Sequence, residues 1–196
     1  MLQSNVKVIQ NNEIDAVMLQ KLGKLEAEIF GAQAIGEKAF VAVHPKGDGV
    51  FALIDNNEPI GFIDIIYLSD EQMSQYLKTH NYKTLENIGL KKGKNNLYFF
   101  SLALKKEFHG GGCVKLLAKE FAIYLDKAMK TPGVEVSNVF TEAVTPAGAH
   151  SVTQSMGMIP INKNEIDKQG LGFYYSPDCL RSYVKKTIQA AEKSFF

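Results

Sequence analysis

The stretch SLALKKEFHGGGCVKLL, Ser101 to Leu117, joins an apolar run to a run with helical spacing through three consecutive glycines. Glycine loses more conformational freedom on folding than any other residue, so three together need a structural reason. Two explanations are open at this point: the glycines form only a tight strand-to-helix turn, or a ligand comes close to the backbone. A helix that begins after such a turn offers unpaired N–H groups and the positive end of its dipole, which suits a phosphate.

The sequence on either side of the glycines predicts a strand and a helix. The run NLYFFSLAL, residues 96–104, is almost continuously apolar, as expected of a central strand that is covered on both faces. After the glycines, apolar residues recur at intervals of three and four, which predicts a core-facing helix. Its apolar positions are Val114, Leu117, Ala118, Phe121, Ala122 and Leu125.

The remaining patterns predict a single α/β domain over residues 1–196, with a polar insertion over residues 69–95 and a C-terminal helix over residues 176–196. The first helix is expected to carry Ile14, Met18, Leu22, Leu25 and Ile29 on one face. The runs GVFALID and PIGFIDIIYL predict a hairpin, VEVSNVFTEAV and GLGFYYS predict later strands, and the insertion is expected to hold one or two short helices.

Composition excludes several classes of function. The chain is 45% hydrophobic and 22% charged with a net charge of +1, which does not favour a nucleic-acid partner. The start of the chain lacks a signal-peptide pattern and no apolar run approaches about 18 residues, so we expect a cytoplasmic protein without a membrane partner. Cys113 and Cys179 are expected to be reduced thiols, and the four scattered histidines have no metal-ligand spacing, so no metal is expected.

The pattern LALKKEFHGGGCVKLL resembles the central motif of the GNAT acyl-CoA N-acyltransferase superfamily. In that motif a strand ending like L-A-V runs through a turn like P-E-Y into R-G-x-G-x-G/A and a helix. Residues 102–104 match the strand end, residues 107–108 match the turn, and Gly112 matches the obligatory glycine. His109 stands where the family has Arg or Gln, and Val114 stands where it has Gly or Ala.

A second signature follows in the expected order. The run TPAGAHSVTQSMGM resembles N-x-x-A-x-x-L-Y-x-K-x-G-F through Ala149, Val152, Gly157 and Met158, with Thr153 at the tyrosine position. The resemblance implies a mixed, twisted sheet of about six or seven strands with helices on both faces, in which strands 4 and 5 splay apart to admit coenzyme A. The pyrophosphate would lie on amides of residues 110–114, and the pantetheine would pair with the strand backbone. The residues implied to bind coenzyme A are Leu102, Ala103, Leu104, His109, Gly110, Gly111, Gly112, Cys113 and Val114.

Catalytic residues are less clearly marked. An alkyl amine has a pKa of about 10.4 and must lose a proton before it attacks a thioester, so a base is needed. Glu142 is the best carboxylate near the implied splay, and His150 is an alternative base. With threonine at the family's tyrosine position, the general acid is open between Tyr98, Ser151 and a water, and the thiolate could also leave without help. Cys113 at a helix start could instead be a nucleophile, although small packing residues are usual there.

The leading functional hypothesis is an N-acetyltransferase that transfers an acetyl group from acetyl-CoA to an amine by direct attack. Its co-substrate would be acetyl-CoA and its acceptor a small-molecule or peptide amine, with monomer and homodimer both open. The rival is a non-catalytic protein that binds or senses acyl-CoA on the same fold. A nucleotide-binding module that uses the glycine turn is a third hypothesis, and it leaves the second signature unexplained.

Overall fold

The sheet has seven strands in the order β1-β2-β3-β4-β5-β7-β6. The structure is a computed structural model and describes residues 5–110 and 112–193, apart from the side chain of Lys83. The strands are β1 Lys7–Gln10, β2 Val50–Asp55, β3 Glu58–Leu68, β4 Gly93–Leu104, β5 Val134–Ala143, β6 Ile159–Pro160 and β7 Gly172–Ser176. The helices are α1 Ala16–Phe30, α2 Glu37–Val43, α3 Asp70–Thr79, α4 Cys113–Lys130, α5 Pro146–His150 and α6 Arg181–Lys193.

Strand directions confirm the mixed α/β class. Strands β1 to β4 pair antiparallel in chain order, β4 and β5 pair parallel, and β7 pairs antiparallel with both β5 and β6. A parallel pair needs a crossover between its strands, and α4 supplies it. Because α4 must cross the sheet to connect them, its start lies at the end of β4.

The parallel pair opens before either strand ends. Pairing between β4 and β5 stops at Phe99 and Thr141. Beyond that point β4 pairs only with β3, and β5 pairs with β7. On β3, Asp64 lies opposite Ser101 and the next residue lies opposite Phe99, so Phe100 is an extra residue, a β-bulge. A bulge bends and twists its strand, which explains why β4 leaves β5 here. The predicted splay of these two strands is confirmed.

Helices cover both faces of the sheet, as predicted. On one face α4 and α6 pack with the largest hydrophobic cluster, which contains Phe51, Leu97 and Phe121. On the other face α1 and α2 pack over one cluster, and α3 packs over a smaller cluster that contains Tyr76 and Tyr98. The α3 face places the buried hydroxyl groups of Tyr76 and Tyr98 next to the opening.

Several predicted boundaries are wrong. Ile14 is buried but lies before α1, whose N-cap is Asp15. The C-terminal helix begins at Arg181 rather than residue 176: Ser176 ends β7, and its hydroxyl accepts a hydrogen bond from the Leu180 amide at 3.1 Å in the turn between them. Three short elements, β1, α2 and β6, were not predicted.

The predicted insertion over residues 69–95 is partly strand. Its first part forms α3 and a short 3-10 turn, as expected, but β4 begins at Gly93. The polar start of β4 hid it from a hydropathy pattern. Its buried Asn95 is satisfied because the side-chain amide donates to the carbonyls of Lys91 and Gly93, at 2.8 Å each.

Candidate functional site

The opening between β4 and β5 has two sides, and the first is made of backbone. We call the β4 edge at residues 102–104, with the turn at residues 109–110 and 112–114, the glycine side. The Lys105 amide donates to the Ile60 carbonyl on β3 at 2.8 Å. Because backbone groups alternate along a strand, those of Leu102 and Leu104 point away from β3, towards the opening, while Ala103 bonds within the sheet. Among the described residues, no second strand pairs with this edge beyond Phe99, although the Leu104 carbonyl accepts from the His109 ring.

The glycine turn leads from this edge into α4. Gly110 and Gly112 have φ values of 78° and 84°, which side-chain-bearing residues rarely adopt, and Gly111 lies outside the described residues. A Cβ placed on Gly110 would meet no heavy atom within 4 Å, so the turn is open on that side. The Gly112 carbonyl accepts from the amides of Lys115 and Leu116 at 3.0 and 3.3 Å, so the Cys113 and Val114 N–H groups precede the first intrahelical bond.

Two side chains of the turn differ in environment. His109 is exposed, and its Nε2 lies 3.0 Å from the Leu104 carbonyl oxygen, so Nε2 carries the hydrogen in this contact. Cys113 is buried, and burial raises the pKa of its thiol, with the charge of Asp55 raising it further. A thiol that holds its proton is a poor nucleophile. The environment of Cys113 thus favours packing over a covalent role.

The second side of the opening is made of side chains, and we call Tyr76, Tyr98 and Glu142 the glutamate side. Glu142 is half-buried and lies one residue beyond Thr141, the last β5 residue that pairs with β4. The Tyr76 hydroxyl on α3 donates to Glu142 Oε2 at 2.9 Å. The Tyr98 hydroxyl on β4 donates to the Tyr76 hydroxyl at 3.1 Å. The structure thus joins the two predicted catalytic residues through a third.

Aromatic packing and burial fix these hydroxyl groups in place. The Tyr76 ring meets the rings of Tyr98 and Phe173 edge to face, at centroid distances of 5.2 and 5.6 Å. Burial raises the pKa of Tyr76, and the charge of Glu142 raises it further. Burial also holds the pKa of Tyr98 well above its ordinary value. Both phenols therefore remain protonated donors at neutral pH.

A buried polar pair lies on the same face, beneath the bulge. The His44 Nε2 lies 2.8 Å from Asp64 Oδ2, and both side chains are fully buried. His44 Nδ1 lies 3.1 Å from the Asp48 carbonyl, which can only accept, so Nδ1 carries a hydrogen and the bond to Asp64 holds a second proton. Among the described residues, Asp64 Oδ1 has no hydrogen-bond partner. Nothing in the sequence pattern pointed to this pair.

No protein-family model matches the sequence, and no curated protein is similar to it. Solved structures are similar in fold. They include the NatC complex bound to Gag peptide and CoA, with a TM-score of 0.58 at 12% identity over 87% of this chain and 96% of that one. Arabidopsis thaliana NAA60 in complex with acetyl-CoA has a TM-score of 0.56 at 15% identity, over 87% and 96% of the chains. The ribosomal-protein-S18-alanine N-acetyltransferase from Escherichia coli has a TM-score of 0.51 at 13% identity, over 87% and 90%.

The chain has the GNAT fold. Identities this low show the fold and leave the chemistry to the residues of this chain. Across residues 5–110 and 112–193, no helix is long and apolar enough to cross a membrane, and no cluster of three or more His, Cys, Asp or Glu side chains could hold a metal ion.

The second GNAT signature forms α5 and one π-helical turn over residues 151–155. The Thr145 hydroxyl caps α5 by accepting from the Gly148 amide at 3.0 Å. Thr153, at the tyrosine position, donates to the Ala149 carbonyl of its own helix at 2.8 Å. His150 is exposed and Ser151 half-buried. The Thr153 hydroxyl is therefore committed to its helix.

Tyr76 was not among the predicted site residues. It lies in the predicted insertion, where helical periodicity is weak, and its closeness to Glu142 comes from the fold rather than from any local motif. One signal was available: Ser69 and Gln72 form a capping box, in which the Ser69 hydroxyl accepts from the Gln72 amide at 3.1 Å. That pattern predicts a helix start at residue 70, and Met73 and Tyr76 then share its apolar face.

Proposed function

We propose that this protein is an N-acetyltransferase that moves an acetyl group from acetyl-CoA to the amine of a small molecule or peptide. One observation carries the proposal: β4 separates from β5 at a bulge, and its open edge leads directly into a glycine turn at the start of α4. A strand edge suits an extended ligand with amide groups, and a helix start suits a phosphate. Coenzyme A combines the two.

The backbone of the glycine side would hold this ligand. The backbone of Leu102 and Leu104 would bind the pantetheine amides, since the Leu104 carbonyl has a second lone pair besides the one that accepts from His109. The amides of Gly110 and residues 112–114 would bind the pyrophosphate, with His109 beside them. When bound, acetyl-CoA supplies the acetyl thioester that the amine attacks. The absence of a Cβ at Gly110 and Gly112 leaves the approach to the turn open.

The glutamate side supplies the base. Glu142 lies in the part of β5 that faces the opening, and its carboxylate can accept a proton from an ammonium group, directly or through water. Tyr98 is fully buried and reaches the opening only through Tyr76, so a role for Tyr98 as general acid would require a relay through the Tyr76 hydroxyl. Direct attack is favoured over an acyl-enzyme because the Cys113 thiol keeps its proton.

Two measurements test the proposal. In thermal unfolding, acetyl-CoA at about 100 times its dissociation constant should stabilise the protein by about 2.7 kcal/mol, and ATP should not. In a thiol-release assay with a panel of amines and peptides, at least one acceptor should give turnover. Binding of acetyl-CoA without turnover on any amine would favour the non-catalytic acyl-CoA binder, and stabilisation by ATP alone would favour the nucleotide-binding module.

A further inference from the structure

We propose that Tyr76 is a positioning residue for the acetyl transfer: its hydroxyl holds the Glu142 carboxylate in the orientation in which Glu142 acts as base. The inference rests on the proposed function. It concerns a residue of α3, an element that lies outside both sequence signatures.

The hydrogen-bond directions support this role. An ionised carboxylate only accepts, so Tyr76 must donate its single proton to Glu142. Its oxygen is then free to accept, and the Tyr98 hydroxyl donates to it at 3.1 Å. The chain from Tyr98 through Tyr76 to Glu142 has one direction, and it ends at the residue that faces the opening.

The hydroxyl of Tyr76 is also fixed in space. The side chain is 5% exposed, and the edge-to-face contacts with Tyr98 and Phe173 restrict its ring. His80, the C-cap of α3, meets the Phe173 ring edge to face at a centroid distance of 4.7 Å. A donor held this firmly restricts the carboxylate that it binds, which a flexible or solvent donor would not do.

The start of α3 is anchored to β4 independently of Tyr76. Asp70, the first residue of α3, accepts from Lys94 at 2.8 and 3.0 Å and from the buried Asn96 at 2.6 Å. The helix is therefore held at its start by β4, and Tyr76 projects from its second turn onto Glu142. Loss of the Tyr76 hydroxyl should leave α3 in place.

The test is a double-mutant cycle on kcat with acetyl-CoA and the best acceptor from the amine panel. Tyr76→Phe keeps the ring and removes the donor, and it should lower kcat about 10- to 100-fold, as expected when a reacting group loses its alignment. The KM for acetyl-CoA should not change, because the glycine side is untouched. In the Glu142→Gln background the same substitution should cause no further loss, since Tyr76 acts only through Glu142.

Two further variants sharpen the cycle. Tyr98→Phe leaves the bond between Tyr76 and Glu142 intact, so its loss in kcat should be smaller than that of Tyr76→Phe. Tyr124→Phe is the matched control: it breaks a second tyrosine pair, with Tyr67 at 2.5 Å on the opposite face of the sheet, and should leave kcat unchanged.

Several results would overturn the inference. They are an equal loss from Tyr76→Phe in both backgrounds, no loss in either, or the same loss from Tyr124→Phe. These results would leave the proposed function standing, because the wild-type protein would still turn over. Absence of turnover by the wild-type protein on every amine would reject the proposed function and this inference together.

Discussion

The glycine side and the glutamate side of the opening use different parts of the chain. The glycine side consists of backbone groups on one strand edge and one turn, all within residues 102–114. The glutamate side consists of three side chains from α3, β4 and β5, of which Tyr76 and Glu142 are 66 positions apart. A backbone site is sensitive to atoms that are added, whereas a side-chain site is sensitive to atoms that are removed. Each kind of substitution should therefore damage one side and spare the other.

The largest effect is expected from a charge added to the glycine side. Gly112→Asp places a carboxylate at the start of α4, where the pyrophosphate is proposed to lie. Two unit charges 4 Å apart repel by about 4 kcal/mol at an effective dielectric constant of 20, so the affinity for acetyl-CoA should fall about a thousandfold. Calorimetric titration of the purified variant measures this.

Gly112→Asn is the matched control for that substitution. Gly112 has a φ of 84°, and asparagine and aspartate are among the residues that tolerate this region best, so both variants carry similar backbone strain. Only aspartate adds charge. Equal affinities for acetyl-CoA in the two folded variants would show that the glycines serve the turn alone.

The same contrast explains what the sequence could predict. Backbone groups occur in every chain, so a backbone site is visible only through the residues that permit it, and here the glycines at 110–112 after an apolar strand marked it. The order of the predicted strands and helices came from the apolar patterns along the chain, and the splay was implied by the resemblance of the motif to the GNAT superfamily. Glu142 could be predicted as a site residue because it lies near the end of the next predicted strand.

The glutamate side was not predictable as a unit. Tyr76 meets Glu142 only because α3 folds back over β4, and a weakly periodic polar segment gives no sign of that contact. The bulge at Phe100 was equally hidden, because a bulge changes hydrogen-bond register without changing the apolar pattern. The pair of His44 and Asp64 joins the residue that caps α2, a helix that was not predicted, to a strand whose pattern is otherwise apolar.

The second-largest effect is expected from that buried pair, which supports the sheet on the face of the glutamate side. His44→Ala leaves Asp64 buried beside a cavity, and the free energy of unfolding should fall by about 3 kcal/mol, at the low end for a broken buried pair. Asp64→Asn should reduce the free energy of unfolding by clearly less, because the amide of the new asparagine can donate to the Nε2 of a neutral His44. Urea denaturation of both variants checks the order. A larger loss from Asp64→Asn would show that the charge itself stabilises the fold.

A smaller effect, dependent on pH, is expected at Glu26. Its carboxylate accepts from the amides of Ile35 and Gly36, at 2.8 and 3.3 Å, yet burial raises its pKa above the ordinary value of 4.5. The folded protein then binds this proton more tightly than the unfolded chain, so stability falls as pH rises from 4.5 through the raised pKa. Glu26→Gln should gain stability relative to the wild type over that window.

Glu28→Gln, on the exposed face of the same helix, is the control for Glu26. This variant removes an exposed carboxylate and keeps the buried one. Its free energy of unfolding, measured by urea denaturation at successive pH values, should therefore show the same pH dependence as the wild type. If the free energy of unfolding of Glu26→Gln depends on pH in the same way as that of Glu28→Gln, ionisation of Glu26 does not destabilise the folded protein.

The smallest effect is expected at the surface anchor of α3. Lys94 and Asp70 form an ion pair at 2.8 Å with side chains 51% and 66% exposed, and the pKa of Asp70 is lowered by Lys94 first and by Asn96 second. Exposed pairs contribute about 0.2–1 kcal/mol and are screened by salt. Lys94→Ala should therefore reduce the free energy of unfolding within that range at low salt, and the difference from wild type should shrink as sodium chloride is raised.

Turnover should not change, because the buried bond from Asn96 still holds the start of α3 and Tyr76 still reaches Glu142. A large, salt-independent loss of turnover would show that the position of Tyr76 depends on the ion pair, and that the glutamate side is less rigid than its buried contacts imply.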